Sequence, residues 1–338
     1  ATIMPSAMAL GATRSTADVE VCARATAQEM RAMGINVNFA PVLDVNSEPA
    51  NPVIGIRSFG DSPPLVAEMG VATIGALRDA GIVATAKHFP GHGGAEVDSH
   101  FGLPVILRSR ELLDSVDLHP FRGAIENGVD MIMSAHAVYP ALSGDELPAT
   151  VSREILTDLL RRRMGFRGVV VTDALVMEAI AGRYSLGRSA VLSVQAGADT
   201  VLTLGALEEQ ASVFEELLRA VKQGDISENV VDDSVARILA LKRRIAVNLT
   251  KTTRDEVDGT DFAVWPLEEH QRIARRVARE SITLVKNDGR LLPLRLQESE
   301  RLGLIEFACA SFSPVEEEIG IDGSLRKLVF ERHANTRY

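Results

Sequence analysis

The sequence predicts an α/β fold in which parallel strands alternate with helices, as in a (β/α) barrel. Short apolar runs, partly β-branched, alternate along the chain with stretches in which apolar residues recur at helical spacing. Polar side chains follow directly after several of these runs, and in a barrel the carboxyl ends of all strands face the same way. The two observations together predict a parallel sheet whose functional residues gather at one edge.

The helices are predicted from apolar stripes that lie between capping residues. The first is typical, because Cys22 and Met30 lie on its stripe, Ser15 or Thr16 can cap its start and Gly34 suits its end. In chain order, helices are expected over 15–33, 63–80, 109–127, 152–164, 189–197, 207–222 and 268–281.

Strands are predicted where a short apolar run contains β-branched residues. They are expected over 35–41, 82–86, 130–134, 168–172 and 200–204, and one more over 302–307. About five strands are thus recognisable in the first part of the chain, where a complete barrel has about eight. Residues 1–13 look like a loop rather than a first strand. We expect either that pattern reading misses strands or that the chain begins inside the barrel.

Composition excludes several classes of partner. The chain has 338 residues, a net charge of −10 and a pI near 5.3, which argues against nucleic acid or an anionic membrane. No apolar run approaches the length of a membrane span. Cys22 and Cys309 are expected to be buried free thiols. No signal peptide is recognisable, which favours the cytoplasm, although Ala1 opens the chain without an initiator methionine. The oligomeric state stays open.

A polar stretch without periodicity divides the sequence. We predict a catalytic barrel domain over 1–247, a linker over 248–267 and a partial C-terminal α/β domain over 268–338.

The strongest site candidate is the segment 87–100. Strand 82–86 delivers Lys87 and His88 at its carboxyl end, and Pro90 with three glycines up to position 94 forces an irregular loop. This segment contains one lysine, three histidines and an aspartate within 14 residues. Loops held on a rigid scaffold are where chemistry is usually placed.

Asp98 and His100 form a candidate acid/base pair in this loop. A carboxylate beside an imidazole can hold its tautomer and stabilise its protonated form, so His100 can exchange protons near neutral pH. The alternative is a solvated aspartate beside a surface histidine.

Asp173 is the second candidate centre, because it directly follows the buried strand 168–172. A carboxylate at a barrel strand end could attack an anomeric carbon as a nucleophile. The alternative is that Asp173 caps a helix over 175–180.

Arg57, Lys87 and His88 are candidate donors for sugar hydroxyls, or for a carboxylate or phosphate. A structural ion pair is the alternative for Arg57, and a solvated charge for Lys87. We predict no metal site and no cofactor, because the histidine spacing lacks an HExxH motif and Gly–Pro residues exclude a helical pair of ligands.

Four ordered motifs resemble those of family 3 glycoside hydrolases of the β-N-acetylglucosaminidase type. The segment KHFPGHG at 87–93 is followed by DSH at 98–100 and GLP at 102–104. The other three are NFAPVLDVN at 38–46, IGIRSFG at 54–60 and VVVTDALVM at 169–177. The resemblance covers essentially all of residues 1–245.

This resemblance implies a (β/α)8 TIM-type barrel lacking its first strand, followed by the truncated start of a second α/β domain. It also implies a retaining double displacement on a terminal β-linked N-acetylglucosamine, a small carbohydrate substrate. By position, Asp173 corresponds to the nucleophile, His100 to the acid/base and Asp98 to its orienting partner. Arg57, Lys87, His88 and Asp44 correspond to sugar-binding or site-shaping residues, and His136 to a residue at the pocket edge.

The chain departs from the family at Gly94-Ala95, where Asp-Thr is usual, and at Ala174 after the nucleophile. We expect the dyad spacing to be unaffected. The sequence leaves open a phosphorylase that uses the same Asp/His dyad, because a histidine repels phosphate less than a carboxylate does. It also leaves open an inactive sugar-binding remnant.

Overall fold

The computed structural model describes residues 1–144, 146–249, 267–295, 302–303 and 336–337. The chain divides into two compact units, 1–282 and 283–338. In the first unit, five strands form one parallel sheet in the order β1-β2-β3-β4-β5, so each strand lies beside its successor in the chain. This order, with helices between the strands, makes a curled half-barrel and confirms the predicted α/β class.

The elements are short and closely spaced. The strands are β1 Val37–Asn38, β2 Val83–Phe89, β3 Met131–Ser134, β4 Val169–Ala174 and β5 Thr200–Leu202. The α-helices are α1 Ala7–Thr13, α2 Thr16–Ala32, α3 Pro63–Asp79, α4 Arg110–Leu112, α5 His119–Glu126, α6 Glu178–Ala181, α7 Leu186–Ala196, α8 Leu207–Gln223, α9 Glu228–Leu249 and α10 Glu268–Glu280. Two segments are π-helical, Leu113–Asp117 and Glu154–Arg163.

Alternate residues of the strands belong to two different cores. Ile132 and Val170 pack with the surrounding helices in the larger core, whereas Met131 and Val169 pack in a second core with Ile245 of α9. Strand residues alternate between the two faces of a sheet. The central strands are therefore buried on both faces, which explains why their sequences are almost continuously apolar.

Residues 1–13 correct the prediction of a loop, because they contain α1. The side chain of Ser6 accepts a hydrogen bond from the Ala9 N–H at 3.2 Å and caps this helix, and Arg14 ends it in the left-handed conformation at φ 57°. Helix α9 has no counterpart among the predicted elements. Its signal is the spacing of Ile238, Leu241 and Ile245 by three and four residues.

The predicted helix 109–127 is wrong as a single element. It consists of α4, a π-helical segment and α5, with Pro120 in the first turn of α5, where no N–H is required. The predicted helix 152–164 is π-helical over Glu154–Arg163.

The predicted linker lies almost wholly outside the described residues, so the predicted domain boundaries stay a prediction. In the first unit, α10 packs against α1 and α2, and the His270 Nδ1 lies 2.8 Å from Glu29 Oε1. Of the predicted strand 302–307, residues 302–303 are described and pair in parallel with 336–337. None of the described helices is long and apolar enough to cross a membrane. Cys22 is buried, which raises the pKa of its thiol to about 11, and Cys309 lies outside the described residues.

Asp199 joins three elements at the beginning of β5. Its fully buried carboxylate accepts hydrogen bonds from the Val170 N–H at 2.8 Å, from Arg161 at 2.5 Å and from Arg237 Nε at 2.9 Å. The Ser234 hydroxyl donates a further bond at 2.8 Å. A buried carboxylate whose oxygens are satisfied in this way holds its cationic partners in place.

We expect Asp199→Ala to destabilise the fold by about 3 kcal/mol, because the change leaves the partly buried guanidinium groups of Arg161 and Arg237 without their partner. Urea unfolding measures the effect as a lower midpoint at an unchanged slope. Asp158→Ala is the control, since it breaks the exposed pair with Arg162 and should cost less than about 1 kcal/mol. Equal effects of the two substitutions would contradict the role given to Asp199.

Candidate active site

Strand β2 brings Lys87 and His88 to the carboxyl edge of the sheet. Lys87 is half-buried and His88 is buried. The His88 Nδ1 lies 2.7 Å from Asp44 Oδ2, and the His88 backbone N–H donates to Asp44 Oδ1 at 3.1 Å. Asp44 therefore fixes both the main chain and the ring of His88.

Asp44 is fully buried, and its carboxylate oxygens bond to other residues of the protein. Its Oδ1 also accepts a hydrogen bond from the His92 N–H at 2.6 Å. Burial alone would raise the pKa of Asp44, but the neighbouring His88 and His92 and these hydrogen bonds lower it to about 2. The carboxylate is thus ionised and anchors the start of the loop that follows β2.

Asp173 lies in β4, one residue before the strand ends, and its side chain is 22% exposed. Its Oδ2 is 3.8 Å from the Nε2 of His88, and its Oδ1 accepts a hydrogen bond from the Ala174 N–H at 2.8 Å. Burial would raise the pKa of Asp173, but His88, His136, the Ala174 N–H and Lys87 together lower it. The carboxylate is therefore ionised and keeps one accessible face.

The capping alternative for Asp173 is not what the structure shows. The helix that follows is α6, and its N-cap residue is Met177. The carboxylate of Asp173 makes its hydrogen bond to the next residue in β4 rather than to a helix N-terminus.

His136 follows β3 and is buried. Its Nε2 is 3.0 Å from the carbonyl oxygen of Ala174, and its Nδ1 is 2.8 Å from the Thr150 hydroxyl. Burial lowers the pKa of this imidazole. A neutral ring that donates from Nε2 to Ala174 supports the end of the strand that carries Asp173.

Asp98 and His100 are paired within the loop. The Asp98 Oδ1 lies 2.7 Å from the His100 Nδ1 and also accepts a hydrogen bond from the His100 N–H at 2.9 Å. The Asp98 side chain is 8% exposed and that of His100 is 28% exposed, so the pair is not a solvated aspartate beside a surface histidine. Because the carboxylate holds Nδ1, Nε2 is the ring nitrogen left to contact a ligand. It has no hydrogen-bond partner within the described part of the chain.

The loop that carries this pair is bonded to the segment after Asp173. The Ser99 carbonyl oxygen accepts a hydrogen bond from the Ala179 N–H of α6 at 3.2 Å. The Ser99 hydroxyl lies 3.1 Å from the Nε2 of His92, which ties the two ends of the loop together. His92 is neutral, because burial lowers its pKa to about 4. The loop that carries the Asp98–His100 pair therefore contacts the helix that follows the strand of Asp173.

Two cations complete the cluster. The guanidinium group of Arg57 donates to the Val53 carbonyl oxygen at 3.0 Å and lies 3.5 Å from the Nε2 of His88. Burial and the charge of Arg57 lower the pKa of Lys87. Within the described residues neither cation is in an ion pair. Both are therefore available to donate hydrogen bonds to a ligand.

Sequence reasoning did not identify several residues that build this site. His92 and Ser99 tie the loop, and Thr150 holds His136. The sequence signal for His92 is its place in the candidate loop, between Gly91 and Gly93. The described residues contain no group of three or more His, Cys, Asp or Glu side chains that could hold a metal ion.

Comparison with known proteins gives consistent results. The family described as "Glycosyl hydrolase family 3 N terminal domain" matches residues 1–241. The chain is 38% identical over 290 residues to "Beta-hexosaminidase A" of Pseudoalteromonas piscicida, covering 81% of this chain and 47% of that protein. It is 36% identical to "Beta-N-acetylglucosaminidase/beta-glucosidase" of Cellulomonas fimi, covering 89% of this chain and 54% of the relative.

Solved structures resemble the fold as well. A glycoside hydrolase family 3 β-N-acetylglucosaminidase from Paenibacillus sp. str. FPU-7 matches with a TM-score of 0.83 at 42% identity, over 89% of this chain and 56% of that one. "Beta-glucoside phosphorylase BglX" matches with a TM-score of 0.83 at 26% identity, over 99% of this chain and 61% of that one. The chain spans about half the length of the first curated relatives that it matches.

Proposed function

Since the chain belongs to glycosyl hydrolase family 3, we propose that it hydrolyses terminal β-linked N-acetylglucosamine from chitin fragments or muropeptides. The observation that carries the proposal is the bond between Ser99 and Ala179, which joins the Asp98–His100 loop to the segment after Asp173. A nucleophile and a proton donor on one edge are what a double displacement requires.

In the first step, an ionised oxygen of Asp173 attacks the anomeric carbon. The bond from that carbon to the aglycone oxygen breaks, and protonated His100 donates its Nε2 proton to the departing oxygen. Asp98 stabilises the imidazolium through its 2.7 Å bond to Nδ1. In the second step, neutral His100 takes a proton from water. The resulting hydroxide attacks the anomeric carbon and releases Asp173 with net retention.

The remaining polar residues either bind the sugar or hold the residues of the site in position. Arg57, Lys87 and His88 lie around Asp173 and would donate hydrogen bonds to sugar hydroxyls. Asp44 acts through His88, and His136 acts through the end of β4, because the atoms of both are occupied by bonds to the chain.

The first experiment is turnover of 4-nitrophenyl N-acetyl-β-glucosaminide, followed by NMR at early times. We expect the β-anomer of N-acetylglucosamine as the first product, because two inversions at carbon 1 restore its configuration. A fluorinated glycoside that slows the second step should label the peptide that contains Asp173. The α-anomer as first product would overturn the double displacement. Binding of N-acetylglucosamine without any turnover would identify an inactive sugar-binding remnant instead.

A phosphorylase is the second candidate, and it is supported by the likeness to a protein titled "Beta-glucoside phosphorylase". In that reaction phosphate would replace water in the second step, and an uncharged His100 would repel it less than a carboxylate would. Rates with and without phosphate separate the two reactions. We expect equal rates and free N-acetylglucosamine, whereas N-acetylglucosamine 1-phosphate would indicate the phosphorylase.

A further inference from the structure

Arg108 lies where the chain leaves the loop, and its side chain folds back beneath that loop. The exit of the loop is fastened in place, because the Ile106 N–H donates to the Val138 carbonyl oxygen at 2.9 Å and the Val138 N–H donates to that of Pro104 at 2.9 Å. The side chain of Arg108 is 15% exposed. It touches none of the groups that we place at the reacting carbon.

The guanidinium group of Arg108 joins two distant segments. One nitrogen donates to Asp117 Oδ2 at 2.9 Å, and another donates to the Ser47 hydroxyl at 2.7 Å. The Ser47 hydroxyl in turn donates to the Val45 carbonyl oxygen at 3.1 Å. Asp117 belongs to the π-helical segment after α4, and Ser47 follows closely on Asp44. Arg108 therefore connects these two segments, which both lie beside the loop.

The loop rests directly on this ion pair. A Cβ atom at position 94 would lie 2.5 Å and 2.7 Å from two guanidinium nitrogens of Arg108. A Cβ atom at Gly91, whose φ is +135°, would lie 2.7 Å from the Cβ of Asp117. Real Cβ atoms do not approach other atoms this closely, so a side chain at position 94 would displace the end of Arg108, and one at position 91 would be strained by its backbone angle as well. The ion pair therefore fills the space that the two glycines leave.

Contacts lead from the Arg108–Asp117 ion pair to the proposed proton donor, His100. Between Gly91 and Gly94 lies His92, whose Nε2 is 3.1 Å from the Ser99 hydroxyl. Ser99 separates Asp98 from His100. A shift of the Arg108–Asp117 ion pair would therefore move the Asp98–His100 pair relative to Asp173.

We propose that Arg108 is a positioning residue for the general acid. Its ion pair with Asp117 and its bond to Ser47 hold residues 91–94, and through His92 and Ser99 they hold His100 at the aglycone oxygen. The proposal rests on the proposed function. Asp117 depends on this partner, because its burial raises its pKa to about 6 even with Arg108 beside it. Without the guanidinium group the pKa of this carboxyl group would rise further, because Arg108 is the neighbour that lowers it.

The experiment compares leaving groups with the full chain. We expect Arg108→Ala to lower kcat/KM about 10- to 100-fold for phenyl N-acetyl-β-glucosaminide but only about threefold for the 2,4-dinitrophenyl substrate, because a misplaced acid matters when the aglycone needs protonation. Arg108→Lys, which keeps the charge, should recover part of the loss. Arg110→Ala is the control. Arg110 lies two residues after Arg108, and its partly exposed pair with Asp114 makes no hydrogen bond to the described loop residues 87–100.

A second variant and a second measurement guard against misfolding. Gly94→Ala pushes the guanidinium group from its place without removing either partner, and we expect the same bias toward activated substrates. Hydrogen exchange of peptide 91–104 should be about 10-fold faster in Arg108→Ala than in the parent. This readout needs no turnover, so it tests the support of the loop even if the proposed reaction is wrong. Unchanged exchange, or equal losses for both leaving groups, would overturn the proposal.

Discussion

Asp173→Ala should abolish turnover of N-acetylglucosaminides, with kcat/KM lowered roughly 10⁴- to 10⁶-fold, as for other residues that bond covalently to substrate. The methyl group offers no oxygen to attack the anomeric carbon. The fold should tolerate the change, because this side chain is partly exposed, its hydrogen bond to the Ala174 N–H lies within β4, and His88 of β2 is 3.8 Å away. The rate is measured with 4-nitrophenyl N-acetyl-β-glucosaminide, and the melting temperature is measured in parallel.

Azide provides the positive control for this variant. A small anion can enter the space left by the carboxylate and attack the anomeric carbon from the same side, which yields the α-glycosyl azide with one inversion. We expect azide to restore part of the rate for activated substrates. Asp158→Ala, a change on the surface, should keep the parent rate. A near-normal rate of Asp173→Ala without azide would remove Asp173 as the nucleophile.

His100→Ala should separate substrates by their leaving groups. For phenyl N-acetyl-β-glucosaminide, whose aglycone must be protonated as it leaves, we expect kcat/KM to fall by about 10²- to 10⁴-fold. For the 2,4-dinitrophenyl substrate, whose aglycone leaves as a stable anion, the first step should be nearly unaffected. The measurement is a plot of log kcat/KM against the pKa of the leaving group, which should become steeper in the variant.

Two further variants make this test specific. His119→Ala removes an exposed histidine of α5 and should leave the plot unchanged. Asp98→Asn keeps the bond to Nδ1 but removes the charge that stabilises the imidazolium, so we expect a smaller loss with the same dependence on the leaving group. Losses that are equal for all leaving groups would count against His100 as the acid.

Much of the fold could be predicted because the spacing of apolar residues along the chain differs between strands and helices. The strands around Val83, Met131 and Val169 have apolar runs buried on both faces, and each is followed by helical periodicity. Helix α1 escaped prediction because it is only seven residues long and depends on one cap, Ser6. The π-helical segments escaped because their sequences have the same apolar periodicity as an α-helix.

The candidate site was only partly foreseeable. The position of Lys87, His88 and Asp173 at strand ends follows from the order of residues. Their roles relative to one another do not. The resemblance assigns Asp44 to the sugar-binding or site-shaping residues, and its full burial beside His88 and His92 decides that its oxygens bond to the protein.

The sequence by itself determined the α/β class and the family of this chain, since ordered motifs and the alternation of strands and helices are local properties. Only the tertiary structure decided which polar side chains lose their contact with water. Asp44 meets His88 from 44 positions away, and His136 meets Ala174 from 38 positions away. Burial and choice of partner depend on such distant residues. They bury these two side chains and bond them to the protein, while Asp173 and His100 stay partly exposed.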